Sequence, residues 1–546
     1  MQPRYLINFP ALSEIFQDPR HREELANSLV AFLENQRWFA AKTDGIQSVE
    51  ILDSVEIPAA ASTFELILAS VVSNEGSSDC YAMPITSTLQ NDVQSEDAII
   101  ARLSSGEGAT GSPTSLVECS GDPEFWRAIT TSLATRPLNT RNGRKLKLSR
   151  TANSRLGSGE VFGDSEFTIH GGEQSNSAVA IGDQYFLKLF RRPRVGHNPD
   201  AEIGIFLTDR TDFRNSPRVD ATIDITGPDG NRCLALISEQ VPGDTNAWTY
   251  TLNGVRDYWK RLANFENRPN VPPGIGILPR TDSTLDEIKI LVEELMMPFH
   301  TEIARLGRRT AELHVALSSC DDDPSFTPEV MTQDSLNALI EQIRDEVQTT
   351  CKLLEKTDSG FDTDVGFPIR MFDRANNRLD GMSSIDVTSA KIISIRCHGD
   401  YHLGQVLKTE SDFVILDFEG EPDRAFDERR EKRCAMKDVA GMIRSLHYAS
   451  CTTAVGMLPP PDQAILNPLH WQRFWYENAA AAFSVAYKET AEGQPFLPED
   501  WEAFNKLLDL FLIEKVLYEL RYEINNRPDW VKIPLAGLNA VLGLAE

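Results

Sequence analysis

The N-terminal part of the chain combines one helical pattern with strand patterns. In the segment 18–33, apolar residues recur every three or four positions, which is the period of a helix with one buried face. The runs 48–57 and 63–72 are rich in Val, Ile and Leu and predict strands. The stretch 104–115, with the sequence SSGEGATGSPTS, has the composition of a linker. We therefore interpret residues 1–115 as a separate α+β unit.

A second β-rich pattern follows this stretch. Strands are predicted at 167–170, 178–181 and 185–190, and a loop of glycine and polar residues, 171–177, separates the first two. The segment 199–207 predicts a helix. The Gly-Asp pair at 182–183, between the last two strands, indicates a β-hairpin.

The remainder of the chain reads as mainly helical. A further strand is predicted at 234–241, and from about residue 244 apolar stripes recur with a helical period. We expect a bilobal α+β chain in which the cap subdomain, 1–115, precedes an intermediate segment and β-rich N-lobe, 116–243. A mainly helical C-lobe, 244–546, would then carry the catalytic residues and the substrate site.

The amino-acid composition makes some classes of binding partner unfavourable. The 546 residues carry 54 Lys and Arg against 81 Asp and Glu, so the net charge of −27 disfavours nucleic acid and anionic membranes. The N-terminus lacks a basic region followed by an apolar run, and no stretch of 18 apolar residues occurs. The eight cysteines include no C-x-x-C pair. These features predict a cytoplasmic protein with free thiols.

Two strand-like runs that end in acidic groups carry the clearest chemistry. The sequence RCHGDYHLGQVL places Asp400 five residues before Gln405, and Asp417 follows the apolar run FVIL. Phosphoryl transfer needs one carboxylate to accept the proton of the attacking hydroxyl and oxygen ligands to hold Mg²⁺. Asp and Gly beside strand ends are also common in plain turns, but this spacing favours the functional interpretation.

A lysine within an apolar strand supplies a candidate phosphate ligand. Lys188 lies in the middle of FLKLF, where a buried charge needs a partner, and Glu202 on the next predicted helix is the candidate. The alternative is a lysine that faces solvent on an amphipathic strand.

Two polar segments are candidates for a loop that covers phosphate. The glycine-rich segment 157–163 does not have the spacing G-x-G-x-x-G, which makes it weak evidence. The loop residues Gln174, Ser175, Asn176 and Ser177 lie between two strands and are the better candidate, although an ordinary hairpin turn would look similar.

These motifs together resemble bacterial maltokinase, a family with an aminoglycoside-phosphotransferase-like, eukaryotic-type kinase fold. The matching segments are EQSNS, FLKLF, HGDYHLGQ and DFEGEP, joined by QRWF near the N-terminus, LGRRTAELH, DVAGMIRS and YELRYEINNRPDW. The resemblance implies an N-terminal cap subdomain. Cys434-Ala435 stands where the family pattern leads one to expect Ser-Pro, which puts the local loop geometry in doubt. The segments 74–115 and 321–380 match nothing in the pattern.

The resemblance also implies roles. It makes Asp400 the catalytic base, Gln405 and Asp417 the Mg²⁺ ligands, and Lys188, held by Glu202, a phosphate ligand. The segment from Glu239 to Val241 is expected to receive adenine.

The sugar site is less defined. A sugar site needs carboxylates and amides for hydroxyl groups and aromatic faces for the ring. The candidates are His398, Glu421, Tyr448, Trp475 and Arg521. Core or scaffold roles are the better interpretation of Trp475 and Arg521, and a histidine before the base often organises its loop.

The expected activity is ATP- and Mg²⁺-dependent phosphorylation of maltose to maltose 1-phosphate, feeding α-glucan (glycogen) synthesis. One alternative is a kinase of another sugar such as glucosamine. A catalytically silent nucleotide or sugar sensor is the other, and the presence of Lys188, Asp400, Gln405 and Asp417 disfavours it. The expected partners are ATP and a sugar, and the chain is expected to be a monomer or homodimer.

Overall fold

The computed structural model divides the chain into two compact units. Unit 1 comprises residues 1–210 and 217–242, and unit 2 comprises residues 211–216 and 243–546. The structure describes residues 6–7, 12–39, 45–59, 62–93, 95–103, 114–157, 162, 165–171, 175–243, 245–265, 285–356, 366–383, 385, 387, 392–453, 456–458, 462, 465–498 and 501–542.

Unit 1 contains two antiparallel-rich sheets and four helices among its described residues. The strands are β1 (Leu6–Ile7), β2 (Ile46–Pro58), β3 (Thr63–Ser73), β4 (Ser78–Leu89), β5 (Ile99–Leu103), β6 (Thr114–Glu118), β7 (Leu138–Asn139), β8 (Lys145–Arg150), β9 (Phe167–His170), β10 (Ser177–Ile181), β11 (Tyr185–Leu189), β12 (Val219–Gly227) and β13 (Gly230–Glu239). The helices are α1 (Leu12–Ile15), α2 (Pro19–Glu34), α3 (Pro123–Thr135) and α4 (Pro199–Arg210). The cap sheet has the order β1-β5-β6-β4-β3-β2, and the N-lobe sheet has the order β7-β8-β12-β13-β11-β10-β9.

The helix predicted in segment 18–33 is confirmed as α2, and its first turn is capped by Asp18. The side chain of Asp18 accepts a hydrogen bond from the Arg20 backbone N–H at 2.9 Å, and Pro19 occupies the first turn of α2. The strands predicted at 48–57 and 63–72 are confirmed as β2 and β3.

The cap sheet is buried on both faces, which explains the nearly continuous apolar sequence of β3. Phe64, Leu66 and Leu68 contribute to a core that also contains residues of the N-lobe sheet, whereas Ile67 and Ala69 pack with α1 and α2 on the other face. Successive strand residues point to opposite faces, so both sets must be apolar. The cap sheet and the N-lobe sheet therefore share one hydrophobic core.

The segment interpreted as a linker joins two neighbouring strands. β6 pairs with both β5 and β4 of the cap sheet, so the sheet continues past residue 115 to Glu118. The polar, glycine-rich composition of 104–115 is equally typical of a connection within a sheet, which is why its sequence suggested a boundary. The part of this segment before residue 114 lies outside the described residues.

Unit 2 is mainly helical, as predicted. Its helices are α5 (Ala247–Ala263), α6 (Leu285–Met296), α7 (Phe299–Leu317), α8 (Gln333–Lys356), α9 (Phe367–Ser383), α10 (Met436–Ser450), α11 (Pro468–Thr490), α12 (Trp501–Asn526) and α13 (Lys532–Leu542). Its strands are β14 (Thr245–Asn246), β15 (Glu329–Val330), β16 (Ile393–Ile395), β17 (Val406–Lys408), β18 (Phe413–Ile415) and β19 (Arg433–Cys434). They form two sheets of three strands, β14-β17-β18 and β15-β16-β19. Among the described residues, no helix has the length and apolar character needed to cross a membrane.

Candidate active site

The loop between β16 and β17 carries Asp400 and is held by one carboxylate. Asp438 Oδ2 accepts a hydrogen bond from the His398 backbone N–H at 2.8 Å, and Asp438 Oδ1 accepts one from the Gly399 N–H at 3.0 Å. Asp438 lies at the start of α10 and is 1% exposed. Hydrogen bonds to a charged acceptor are among the stronger ones in proteins, so the two peptide groups before Asp400 are firmly fixed.

A second buried side chain fixes Asp438 in turn. His314 Nε2 lies 3.0 Å from Asp438 Oδ2, and His314 Nδ1 lies 2.9 Å from the Tyr487 hydroxyl. Because a carboxylate only accepts, Nε2 donates to Asp438, and in the neutral form of the ring Nδ1 is then the acceptor for the Tyr487 O–H. Burial alone would raise the pKa of Asp438, but the His314 hydrogen bond and the backbone N–H groups lower it below its ordinary range. Sequence analysis gave Asp438, His314 and Tyr487 no role. Polar residues within apolar helical segments were the feature of the sequence that could have pointed to them.

Glycine allows the Asp400 loop to approach the segment that follows β18. Gly399 has a φ of +88°, and a Cβ built on it would lie 3.3 Å from Gly420 Cα. Both the left-handed backbone and this close approach favour glycine. The backbone beside Asp400 therefore lies close to the segment that bears Asp417.

Lys515 connects Asp400 to Glu421. The Lys515 ammonium on α12 lies 3.2 Å from Asp400 Oδ1 and 3.2 Å from Glu421 Oε1, and the Lys515 side chain is 14% exposed. Burial alone would lower the pKa of Lys515, but the two carboxylates hold it well above its ordinary range. Sequence analysis missed Lys515, since it lies 115 residues after Asp400. Its signal was a lysine within the apolar sequence of α12.

Glu421 is held by cations on several sides. Besides Lys515, Arg424 Nε lies 2.5 Å from Glu421 Oε2, and Lys437 Nζ lies 3.3 Å from the same oxygen. Burial would raise the pKa of Glu421, but these three charges lower it well below its ordinary range. An ionised carboxylate with this set of partners is a structural anchor, and its predicted contact with sugar stays a prediction.

A backbone contact brings the segment of Asp417 close to Gln405. The Leu416 N–H donates to the Gln405 backbone oxygen at 2.9 Å, which brings the residue before Asp417 alongside Gln405. Asp417 has a φ of +63°, a left-handed conformation that is uncommon for a residue with a side chain and is often found at functional sites. A carboxylate oxygen of Glu419 lies within 4.8 Å of one of Asp417. Carboxylate and amide oxygens are the ligands that Mg²⁺ prefers, so these residues fit such an ion.

The two histidines of the loop have different surroundings. His398 is 1% exposed, its Nε2 lies 2.8 Å from the Leu416 backbone oxygen, and its ring lies against the rings of Tyr401 and Phe418. Because a carbonyl oxygen only accepts, Nε2 donates. These contacts are those of a residue that organises the loop, which favours this interpretation over the predicted sugar contact.

His402 lies beside the candidate base. Its Nδ1 accepts from the Gly404 N–H at 3.0 Å, and its Nε2 lies 3.9 Å from Asp400 Oδ2. Burial lowers the pKa of His402 below its ordinary value. A neutral His402 therefore carries its proton on Nε2, the nitrogen nearer to Asp400.

Three further sugar candidates occupy packed positions. Trp475 is 1% exposed and stacks on Phe299, while Arg521 pairs with Glu346 at 3.1 Å. Both placements favour the scaffold role considered in the sequence analysis. The Tyr448 hydroxyl donates to Glu523 at 3.2 Å, and burial raises the pKa of this tyrosine far above its ordinary value.

Unit 1 pairs the candidate phosphate lysine with an aspartate. The Lys188 Nζ lies 2.9 Å from Asp200 Oδ2, and the two side chains are 15% and 7% exposed. Lys188 therefore does not face open solvent on β11. Asp200 precedes the predicted partner Glu202 by two residues on α4, and a role for Glu202 in holding the lysine stays a prediction. The helical pattern placed both acidic residues in the same turn and did not distinguish them.

The candidate cover loop leads directly into β10. The Asn176 side-chain oxygen accepts from the Arg191 N–H at 3.2 Å, and the Ser177 hydroxyl accepts from Arg191 Nε at 2.9 Å. Ser175 is exposed, and Gln174 lies outside the described residues.

The predicted adenine segment lies at the end of β13. The Glu239 N–H donates to the Arg218 oxygen at 2.8 Å, and Val241 follows two residues later with a partly exposed side chain. A contact of Glu239 or Val241 with adenine stays a prediction.

Comparison with known proteins bears on the family and on the fold. Residues 32–111 match the family model described as the maltokinase N-terminal cap domain. This match confirms the resemblance to maltokinase. A curated glucosamine kinase of Streptacidiphilus jiangxiensis is 24% identical over 373 residues, which cover 68% of this chain and 72% of that protein. A glucosamine kinase of Mycolicibacterium smegmatis is 30% identical over 146 residues, which cover 27% of this chain and 34% of that protein.

Solved structures establish the fold class. A glucosamine kinase in complex with glucosamine, ADP and inorganic phosphate has a TM-score of 0.57 at 17% identity, covering 96% of this chain and 99% of that one. Another crystal form of a glucosamine kinase has a TM-score of 0.57 and covers 95% of this chain and 97% of that one. The predicted kinase-like α+β fold with an N-terminal cap, a β-rich N-lobe and a mainly helical C-lobe is confirmed. The sequence comparisons together support the coarser activity, a sugar phosphotransferase.

Proposed function

We propose that this protein transfers the γ-phosphoryl group of ATP to the anomeric hydroxyl of maltose, giving maltose 1-phosphate. The observation that carries the choice of maltose is the match of residues 32–111 to the maltokinase cap domain. The product would feed α-glucan synthesis in the cytoplasm. The domain boundaries predicted from the sequence and the expected monomer or homodimer belong to the same proposal.

The residues of unit 2 have the chemistry that this transfer needs. Asp400 is a carboxylate on a fixed backbone, with an ammonium group 3.2 Å away, and it orients and deprotonates the attacking hydroxyl. Asp417 and Gln405 would hold Mg²⁺, which neutralises charge on the phosphates when bound. In unit 1, Lys188 presents a positive charge for the nucleotide phosphates, held by Asp200 at 2.9 Å.

Glucosamine is the second candidate acceptor. The two curated relatives are named glucosamine kinases, and a solved structure of similar fold contains glucosamine. An amino sugar carries a positive charge at neutral pH, and Glu421 and Asp400 are carboxylates of the candidate site that could attract it. In this structure Lys515 lies 3.2 Å from both carboxylates, which leaves less negative charge for an amino group and favours a neutral sugar.

A panel of sugars tests the proposal. ATP consumption is measured in a coupled assay with maltose, glucose, glucosamine and trehalose, and the products are examined by ³¹P NMR. We expect the highest kcat/KM with maltose and a phosphorus signal coupled to the anomeric proton. A kcat/KM for glucosamine at least tenfold above that for maltose would replace maltose by the second candidate. If none of the sugars increased the consumption of ATP, both candidates would be contradicted.

Replacing Lys188 should weaken the use of ATP. We expect Lys188→Met to raise the KM for ATP about 10- to 100-fold and to leave the KM for the sugar nearly unchanged, because a charge-assisted contact with phosphate is lost while the apolar stem still packs. The measurement is steady-state kinetics with each substrate varied in turn.

Matched variants refine this test. Lys145→Met removes an exposed lysine from β8 of the same sheet and should leave the KM for ATP unchanged. Asp200→Asn should show a weaker form of the Lys188 defect, and a comparison with Glu202→Gln identifies which carboxylate holds the lysine. Normal ATP dependence of Lys188→Met would contradict the assignment of Lys188 to the phosphates.

A further inference from the structure

Arg191 is a buried arginine of unit 1 whose hydrogen-bond partners lie on several different elements. It follows β11 by two residues and lies three residues after Lys188, and it is 1% exposed. A fully buried guanidinium is costly unless each of its donors finds an acceptor. The position of those acceptors therefore shows what Arg191 connects.

One side of the guanidinium is bound by the cap sheet, including the end of β6, and by the turn that follows β6; these groups are called the cap side below. Arg191 Nη1 donates to Glu118 Oε1 at 2.9 Å, and Arg191 Nη2 donates to the Ser120 hydroxyl at 2.6 Å. The guanidinium carbon lies 4.5 Å from the centre of the Trp38 ring, a cation–π contact. The backbone oxygen of Arg191 accepts from the Ala82 N–H of β4 at 2.9 Å.

The other side is bound by the loop before β10. Arg191 Nε donates to the Ser177 hydroxyl at 2.9 Å, and the Arg191 backbone N–H donates to the Asn176 side-chain oxygen at 3.2 Å. Asn176 and Ser177 are the last two residues of the candidate cover loop, and Ser177 is also the first residue of β10. Polar groups on the cap side and on the loop side thus accept hydrogen bonds from the same side chain, Arg191.

We infer that Arg191 is a positioning residue through which the N-terminal cap sets the conformation of the phosphate-covering loop and so the affinity for ATP. This inference rests on the proposed function, because it takes residues 175–177, the described end of the candidate cover loop, to lie against phosphate. The planar guanidinium has donors in a fixed fork, so an acceptor placed on the cap side determines where Nε points on the loop side. Arg191 itself has no direct part in the chemistry.

The test removes one hydroxyl on each side of the arginine. Ser120→Ala deletes the cap-side acceptor and Ser177→Ala deletes the loop-side acceptor, while the buried charge keeps Glu118 in both variants. Ser73→Ala is the matched control, because Ser73 is a buried cap residue whose hydroxyl lies 2.8 Å from that of Ser77 and is not bonded to Arg191. The affinity for ATP with Mg²⁺ is measured by calorimetry, the KM for ATP and for sugar by steady-state kinetics, and the melting temperature by fluorescence.

The expected pattern separates positioning from general stability. Ser120→Ala and Ser177→Ala should each weaken ATP binding about two- to tenfold, the range of one hydrogen bond, with an unchanged KM for the sugar. The double variant should be less impaired than the product of the two single effects, because both act through Arg191. Arg191→Lys should show at least the effect of the single variants, since an ammonium has its donors on one nitrogen and cannot reach acceptors that Arg191 contacts through three separate nitrogens.

Several results would overturn the inference. One is an ATP affinity of Ser120→Ala equal to that of Ser73→Ala. Another is a double variant whose loss of ATP affinity equals the product of the two single losses. A third is a KM for the sugar that rises as much as the KM for ATP in the single variants. A wild-type protein that binds ATP but phosphorylates no sugar would contradict the proposed function alone, and the serine variants would still decide the role of Arg191 by calorimetry. A wild-type protein that binds no ATP would overturn both.

Discussion

Asp400→Asn should reduce kcat for sugar phosphorylation by about 10²- to 10⁴-fold, the range that a general base contributes. An amide of the same shape keeps the loop backbone, which is fixed by Asp438 at 2.8 and 3.0 Å, but it cannot accept the proton of the attacking hydroxyl. The loss should fall on kcat, because the group acts on the acceptor hydroxyl and not on the nucleotide. Single-turnover measurements with saturating ATP and sugar report this step directly.

The control for this variant addresses charge and nucleotide binding. Calorimetry with ATP and Mg²⁺ should give an affinity within a few-fold of the wild type. Asp427→Asn removes an exposed carboxylate from the segment after β18 and should keep full activity. If Asp400→Asn kept more than about a tenth of the wild-type kcat, another group would have to be the base.

Asp438→Ala should loosen the Asp400 loop and lower kcat as well. The substitution leaves two backbone N–H groups and the His314 ring without their acceptor in a buried place, and breaking a buried charged contact typically costs about 3–5 kcal/mol. Hydrogen exchange of the segment 393–405 should therefore lose about 10²- to 10⁴-fold in protection. Asp438→Asn keeps one acceptor oxygen and should give an intermediate loss.

The pH dependence of this anchor follows from the direction of its pKa. The pKa of Asp438 in the folded protein is below its ordinary value, so its ionised form stabilises the fold at pH values above the ordinary pKa. That contribution is lost as the pH falls toward the lowered pKa.

The control for the hydrogen-exchange measurement on Asp438→Ala is Asp423→Ala, at an exposed position. Unchanged protection of the 393–405 segment in Asp438→Ala would contradict the anchoring role.

Local sequence patterns predicted the elements that position the site well. The segment 167–170 forms a strand with the predicted bounds, and the helix predicted at 199–207 begins at Pro199 and ends at Arg210. Apolar periodicity and a proline at the start of a helix act over short distances, so a single sequence shows them. The position of Asp400 and Asp417 near strand ends also followed from the apolar runs before them.

Contacts between distant residues could not be predicted in this way. Lys515 joins Asp400 from 115 residues away, and Asp438 joins His398 from 40 residues away. A single sequence carries no signal for which helix returns to which loop. The contact of Lys188 with Asp200 was missed for a different reason, since Asp200 and Glu202 lie in one helical turn and differ only in the direction of their side chains.

The core that the cap sheet shares with the N-lobe sheet limits how this protein can be divided or recombined. Val55 and Leu66 of the cap pack in the same cluster as Val179 and Leu187 of the N-lobe. An excision at residue 115 would cut β6 and expose both sets of side chains to water, at about 25 cal/mol for each Å² of apolar surface. The segment that the family model matches, 32–111, therefore shares its core with strands that lie outside the match. Replacing one of the two sheets alone would leave the side chains of the other without their packing partners.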